Sequence, residues 1–291
     1  MHKSGFVNIL GNPNVGKSTL MNELVGEKIS IITSKAQTTR HRILGIVSGK
    51  DFQIVYSDTP GIIKPNYRLQ NWMMKSVTTA LTDADIILYV TDVVEKADKN
   101  ALYLNKIKHS SVPVIVAVNK TDLVNQEKTD TLAENWKSIF PRAEIIPVSA
   151  LYKSNLGYLL ERILHHLPEG PPYYPKDTLT DKTQRFFVSE IIREKILKNY
   201  SKEIPYAVSV DVESFSEEDK IIRIRSVIFV LRDSQKGIII GHRGQALKKT
   251  GTLARKDIEA FLGKKVYLEL YVKVRKDWRD KDRILRDFGY R

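Results

Sequence analysis

The chain of 291 residues carries 47 Lys and Arg against 34 Asp and Glu, a formal charge of +13. At roughly 150 residues per domain that length suits two domains, and 42% hydrophobic with 28% charged residues is globular rather than disordered composition. The absence of cysteine excludes a disulfide scaffold, a thiol nucleophile and a thiolate metal site, and suits a reducing cytoplasm. The six histidines lack zinc-site spacing. The best apolar run, Val112–Val118, falls far short of the ~18–20 residues that span a bilayer. The first residues, MHKSGFVNIL, enter a strand-like pattern at once, so no secretory signal is expected.

Up to residue 167, short apolar runs alternate with helical patterns. Val7–Leu10, Ile54–Tyr56, Ile86–Val90, Val114–Val118 and Ile145–Val148 read as buried strands; Lys17–Val25, Thr129–Phe140 and Leu156–His166 read as helices. Such alternation predicts an α/β domain over 1–167, with a mostly parallel sheet covered by helices on both faces. Leu167–Pro175 (LPEGPPYYP) holds four of the eleven prolines, which suit neither a helix nor a central strand, so 168–180 reads as a linker. Over 181–291 the order changes to a smaller α+β domain. A helix is expected at Gln184–Asn199, alternation at Val208, Val210 and Val212, and a strand near Ile221–Leu231. A glycine-interrupted helical region (Gly237–Leu262), a clean strand through Val266–Val274 and a charged helical tail (Asp277–Phe288) follow. The charge is uneven: residues 1–170 hold 20 basic and 16 acidic side chains, and 171–291 hold 27 and 18. That clustering suits either a solvated surface or a nucleic-acid footprint.

Residues 11–18 read GNPNVGKS, the spacing G-x-x-x-x-G-K-[ST], between the first strand and the first helix. Gly11 and Gly16 let the backbone of Asn12, Pro13, Asn14 and Val15 curl so that successive N–H groups face phosphate. The helix N-terminus at Lys17, Ser18 and Thr19 adds partial positive charge. Lys17 reaches β- and γ-phosphate oxygens, and the Ser18 hydroxyl suits Mg²⁺.

Three later motifs turn this phosphate site into a guanine-nucleotide site. In Asp58-Thr59-Pro60-Gly61 the carboxylate can hold Mg²⁺ through water, and the Gly61 N–H can face the γ-phosphate. In Asn119-Lys120-Thr121-Asp122 the Asp122 carboxylate can accept from guanine N1–H and its 2-amino group, donors that adenine lacks, while the Lys120 stem lies over the purine. Ser149-Ala150-Leu151 can offer a main-chain N–H to guanine O6. Each motif follows a strand, at the edge where open α/β sheets bind ligands.

This series resembles the translation-factor-like small GTPases, and Lys35–Ile43 (KAQTTRHRI) resembles the first switch of the Era family. The resemblance implies that Gln37, Thr38, Thr39, Arg40 and His41 form a switch over the γ-phosphate, with Thr39 the remaining Mg²⁺ ligand; pattern does not separate it from Thr38. It also implies GTP hydrolysis to GDP and phosphate by water, with a slow intrinsic rate because Ile62 stands where Ras-like GTPases carry a water-orienting Gln. Asn14 matches the phosphate-loop Asn that binds potassium in related GTPases, which makes K⁺ a second expected cation.

In the C-terminal part, Gly241-His242-Arg243-Gly244 sits between two helical stretches. Helix, strand, strand, helix, GxxG, helix, strand is the order of a type II KH domain, whose loop clamps about four nucleotides of single-stranded RNA. Gly241, His242, Arg243, Gly244, Lys248 and Lys249 are the expected RNA-binding residues, with Arg255, Lys256, Lys273, Arg275 and Lys276 as further basic groups. Together the two parts closely resemble the Era family along nearly the whole chain. That resemblance implies a switch that binds the 3′ end of 16S ribosomal RNA in small-subunit assembly. It also implies a cytoplasmic location with some peripheral association at the inner face of the cell membrane. The alternative reading is a membrane-associated signalling GTPase with an incidental basic domain; no lipidation signal accompanies it.

Overall fold

Strand β1 (Lys3–Leu10) lies inside a six-stranded sheet in the computed structural model, which describes residues 1–95 and 100–290. Two units are distinguished. The first takes in Met1–Ile32, Thr39–Pro65 and Met73–Asp181; the second takes in Thr33–Thr38, Asn66–Trp72 and the chain from Lys182 on.

In the first unit, β2 (Ile43–Ser48) and β3 (Phe52–Asp58) form an antiparallel hairpin closed by Gly49 N–H donating to Phe52 O at 2.8 Å. β1 pairs in parallel with β3 on one side and with β4 (Ile86–Asp92) on the other; β5 (Val114–Asn119) and β6 (Glu144–Pro147) continue in parallel. The sheet order is therefore β2-β3-β1-β4-β5-β6. All seven residues of β4 are buried, as a strand covered on both faces requires. The helices are α1 (Lys17–Val25), α2 (Arg68–Thr82, which belongs to this unit from Met73 on), α3 (Ala101–Lys108), α4 (Gln126–Ile139) and α5 (Leu156–His166). The α4 helix starts earlier than its apolar pattern suggested because Asn125 caps it, its Oδ1 accepting from Lys128 N at 3.1 Å.

The proline-rich stretch over 168–180 is hydrogen-bonded to strands of the first unit. Gln53, fully buried in β3, accepts from the N–H groups of Tyr173 at 2.7 Å and Tyr174 at 2.9 Å. Ser4 N–H donates to Pro168 O at 3.0 Å, and Ile46 N–H to Leu179 O at 2.8 Å. β2 is an edge strand whose main-chain donors need acceptors, and an extended segment supplies them without needing many of its own. The first unit accordingly runs to Asp181.

The second unit opens with α6 (Gln184–Asn199), where Thr183 Oγ1 accepts from Phe186 N at 3.3 Å. Then come a short helix α7 (Ile204–Ala207), β7 (Ser209–Glu217), β8 (Ile221–Val230), α8 (Asp233–Ile240), α9 (Gln245–Leu262), β9 (Lys265–Val274) and α10 (Asp282–Asp287). β8 pairs antiparallel with β7 and parallel with β9. A parallel pair needs a crossover, and α8 with α9 supplies it. Ile192 and Ile196 of α6, Ala254 and Ile258 of α9, and Ile224, Ile228 and Val266 of the sheet make the core. The tail is less helical than its charge pattern suggested. Asp277 takes a left-handed φ of 55°, and Trp278 begins a single 3₁₀ turn, its ring fully buried and its Nε1–H donating to Ala207 O at 3.1 Å. Burying that ring sets the path of the chain before α10.

Candidate functional site

The phosphate loop leaves the C-terminal end of β1, where the strand's neighbours diverge to β3 and β4, the position at which an open α/β sheet forms a crevice. Asn14 (φ 66°) and Gly16 (φ 96°) turn the loop through left-handed conformations. Gly16 also has no room for a side chain: a Cβ there would run into the carboxamide of Asn119. That carboxamide donates to Val15 O at 2.8 Å and accepts from Ala150 N–H at 3.0 Å, so one residue of the NKTD motif ties the phosphate loop to the SAL loop. Lys17 is buried and donates to Asn12 O at 2.8 Å. Burial lowers its pKa to about 8, with the charges of Asp58 and Glu95 acting in the other direction.

Three oxygens from distant segments meet beside Lys17. Ser18 Oγ donates to Asp58 Oδ2 at 2.7 Å and lies 2.9 Å from Thr39 Oγ1, which is 3.3 Å from the same carboxylate oxygen. Asp58 is fully buried, and its Oδ1 accepts no hydrogen bond from any described residue. Burial raises the Asp58 pKa, while Lys17 and the nearby Ser18, Ser30 and Thr39 hydroxyls oppose that shift. An orphaned carboxylate oxygen among hydroxyl oxygens fits a hard divalent cation such as Mg²⁺. The structure thus distinguishes the two threonines: Thr38 Oγ1 instead donates to Lys35 O at 2.6 Å and lies 2.6 Å from Thr33 Oγ1. Gln37 (φ 59°) accepts from the Tyr67 hydroxyl at 2.7 Å. Arg40 is buried and His41 half-buried. Thr59 Oγ1 donates to Ile9 O at 2.7 Å, fixing the DTPG turn, and Gly61 approaches so closely that a Cβ would lie 2.7 Å from Pro13 N. Ile62, 2% exposed, sends its N–H to Gly11 O at 3.1 Å.

At the guanine end, Lys120 (φ 63°) donates to Asn14 O at 2.7 Å and pairs with Asp92 at 2.6 Å. Asp122 is exposed, and one of its oxygens accepts from the buried Ser149 hydroxyl at 2.5 Å. Because Ala150 N–H is committed to Asn119, it is a framework bond of this loop, and Leu151 projects 69% exposed beside it. Asp92, Glu95 and Asn100, next to the phosphate loop, escaped the sequence reading; only Asp92, at a strand's C-terminal end, offered a signal.

In the second unit, Gly241 (φ 69°), Arg243 (φ 49°) and Gly244 (φ 76°) wind the loop between α8 and α9 into one tight turn, with Gly244 N–H donating to Gly241 O at 3.2 Å. His242, Arg243, Lys248 and Lys249 are all exposed. An open groove of about 460 Å³ runs on from the loop, lined on α9 by Leu247, Lys248, Gly251 and Arg255 and on β9 by Tyr267 and Leu270. An apolar floor with cations at the rim suits stacked bases and a phosphate backbone. Tyr267 was missed in the sequence because its alternation marks only the outward face of β9.

Two family models match the chain: one described as 50S ribosome-binding GTPase over residues 6–120, the other as KH domain over 203–279. GTPase Era of Clostridium kluyveri is 48% identical over 293 residues, covering 100% of both chains. GTPase Era of Staphylococcus haemolyticus is 46% identical, covering 99% of this chain and 97% of that one. The chain belongs to the Era GTPase family. Two solved Era structures resemble it at 41% identity. One is Era in complex with MgGDPNP and nucleotides 1506–1542 of 16S ribosomal RNA, with a TM-score of 0.96 over 100% of this chain and 99% of that one. The other is a Tyr-to-Ala variant of Aquifex aeolicus Era bound to GDP and AlF4⁻, with a TM-score of 0.95 over 99% of both. The Era family assignment agrees with the architecture: a P-loop GTPase domain followed by a KH domain.

Proposed function

We propose that this chain is a GTP-hydrolysing switch that binds the single-stranded 3′ end of 16S ribosomal RNA and acts in small-subunit assembly. The observation that carries the reading is the meeting of Ser18, Thr39 and Asp58 oxygens beside Lys17, in a chain that also carries an exposed basic glycine loop with its groove. The Era structure solved with MgGDPNP and ribosomal RNA supports both ligands.

In this reading residues 11–19 with Gly61 hold the phosphates, and Asn119, Lys120, Asp122 and the 149–151 loop hold guanine. Ser18, Thr39 and Asp58 hold Mg²⁺, which supplies charge neutralisation at the phosphates when bound. Hydrolysis needs no protein nucleophile: water attacks the γ-phosphorus, and Lys17 with main-chain N–H groups stabilises the charge that develops. Ile62 offers no polar group to orient that water, so the intrinsic rate is slow. Asn14 holds K⁺ beside the phosphates, and turnover is faster in potassium than in sodium. Gly241–Gly244, Lys248 and Lys249 clamp the RNA backbone. The nucleotide state and RNA affinity are coupled, and the coupling is reciprocal for binding. The protein works in the cytoplasm, with peripheral membrane association resting on its basic surface alone; among the described residues no helix is long and apolar enough to cross a membrane.

The test is GTP hydrolysis in potassium and in sodium buffer, with and without a short RNA matching the 16S 3′ end. The control is Arg243→Asp with Gly244→Asp: Arg243 is exposed, and a Cβ on the half-buried Gly244 meets no atom within 4 Å. Acceleration by RNA that the double variant loses supports the switch. Vesicle binding stronger than RNA binding would instead favour the membrane-associated signalling reading.

A further inference from the structure

Beside the phosphate loop lies a set of amide and carboxylate groups that the nucleotide motifs do not include. Asn12 is 5% exposed, so both ends of its carboxamide need partners. Its Nδ2 donates to Glu95 Oε1, an orientation set by the carboxylate, which can only accept. Glu95 is itself aimed by two contacts: Thr91 Oγ1 donates to its Oε2 at 2.6 Å, and Asp92 Oδ1 accepts from the N–H groups of Val94 at 3.0 Å and Glu95 at 2.9 Å. The other end of Asn12, Oδ1, accepts from Asn100 Nδ2, and the same Nδ2 reaches Ile62 O at 3.2 Å.

Asn100 therefore links the phosphate loop to the residue that follows Gly61. Ile62 is held at both main-chain groups, through Gly11 O on its N–H and Asn100 on its carbonyl. A cleft of about 500 Å³, lined among others by Asn12, Pro13, Ile62, Glu95 and Asn100, opens beside it to solvent. With a buried alkyl side chain at 62, any orientation of water near the γ-phosphate falls to main-chain groups of the 61–62 segment, and these act only as well as they are held.

We propose that Asn100 is a positioning residue for GTP hydrolysis, acting through the Ile62 carbonyl and the Asn12 carboxamide, with Glu95 orienting Asn12. This rests on the GTPase reading above. Asn100 has a left-handed φ of 62°, which Gly and Asp also tolerate, so Asn100→Gly and Asn100→Asp remove the amide donors without straining the backbone.

The experiment measures single-turnover GTP hydrolysis by the full chain, together with affinity for fluorescent GDP and a non-hydrolysable GTP analogue. Both variants are expected to hydrolyse GTP on the order of ten- to a hundredfold more slowly, with both affinities within about threefold of the unaltered chain. Hydrolysis within about twofold of the unaltered chain in the Gly variant overturns the proposal. So does a parallel fall in rate and both affinities, which would mark Asn100 as a clamp on nucleotide binding. Absence of hydrolysis in the unaltered chain overturns the GTPase reading itself, and this inference with it.

Discussion

The Lys17 ammonium donates to the main-chain carbonyl of Asn12 at 2.8 Å from a position only 6% exposed. A charge so buried, with one described hydrogen-bond acceptor and carboxylates acting on it only through space, costs stability in the protein without nucleotide. Lys17→Met should therefore stabilise the nucleotide-free protein by about 1–2 kcal/mol while abolishing GTP binding. Urea unfolding of the nucleotide-free variant checks the first half and calorimetric titration with GTP the second. A less stable variant would mean that the lysine is better compensated than its surroundings indicate.

Asp122 lies exposed with one oxygen accepting from Ser149, which presets the carboxylate before the base arrives. In Asp122→Asn the amide cannot accept from both N1–H and the 2-amino group, but it can donate to a 2-oxo group. GTP affinity should fall by about 10³-fold or more, and xanthosine triphosphate should become the better ligand. Competition between the two nucleotides reads this directly.

Arg255 lines the groove but not the glycine loop. If it meets a phosphate, Arg255→Ala weakens binding of every single-stranded RNA by a similar factor and reduces the salt slope, by about 0.7 for one contact. Tyr267→Ala should instead cost about 1–3 kcal/mol with little change in slope, since stacking releases no counterions. Titrations at several salt concentrations separate the two.

A stability effect is expected at residues that belong to neither site. Arg162 Nε and its second nitrogen each donate to Glu144 at 2.7 Å, and His166 adds a contact at 2.6 Å; together they hold the Glu144 carboxyl at about 2, below its ordinary 4.5. A depressed carboxylate pKa stabilises above the unfolded value and loses that contribution as pH falls from 4.5 towards 2. With the side chain 30% exposed, screening leaves about 1 kcal/mol. Glu144→Gln should lower unfolding stability by that amount near neutral pH, and the two proteins should converge as pH approaches the folded pKa. A constant gap across the acid range would refute the ion-pair account.

What could be read in the sequence was whatever is encoded by spacing. GNPNVGKS and NKTD announce themselves because neighbouring residues must curl around one ligand. The β2–β3 hairpin did not, since Ile43–Ser48 is apolar on both faces and follows a switch-like segment. The docking of 168–180 depended on Gln53, some 120 positions earlier, and no local pattern reports a partner that remote. Thr38 and Thr39 are identical in type, so only the fold could send one hydroxyl to Asp58 and the other to Lys35. Asn12, Glu95 and Asn100 form one network through side-chain geometry alone, which leaves no periodicity to detect.

The bond from Asn119 to Val15 spans 104 positions, and the C-terminal half of β1, Val7–Leu10, pairs on its second edge with Ile86–Tyr89 of β4. On the ribosome the phosphate loop is thus made long before the residues that shape it. Until the strand through Asp92 has left the exit tunnel, β1 exposes a bare edge open to wrong pairing. The loop acquires its final form only after residue 119 follows. A nascent chain stalled before that point should fail to retain GDP, whereas one carrying the 149–151 loop should hold it while still tethered.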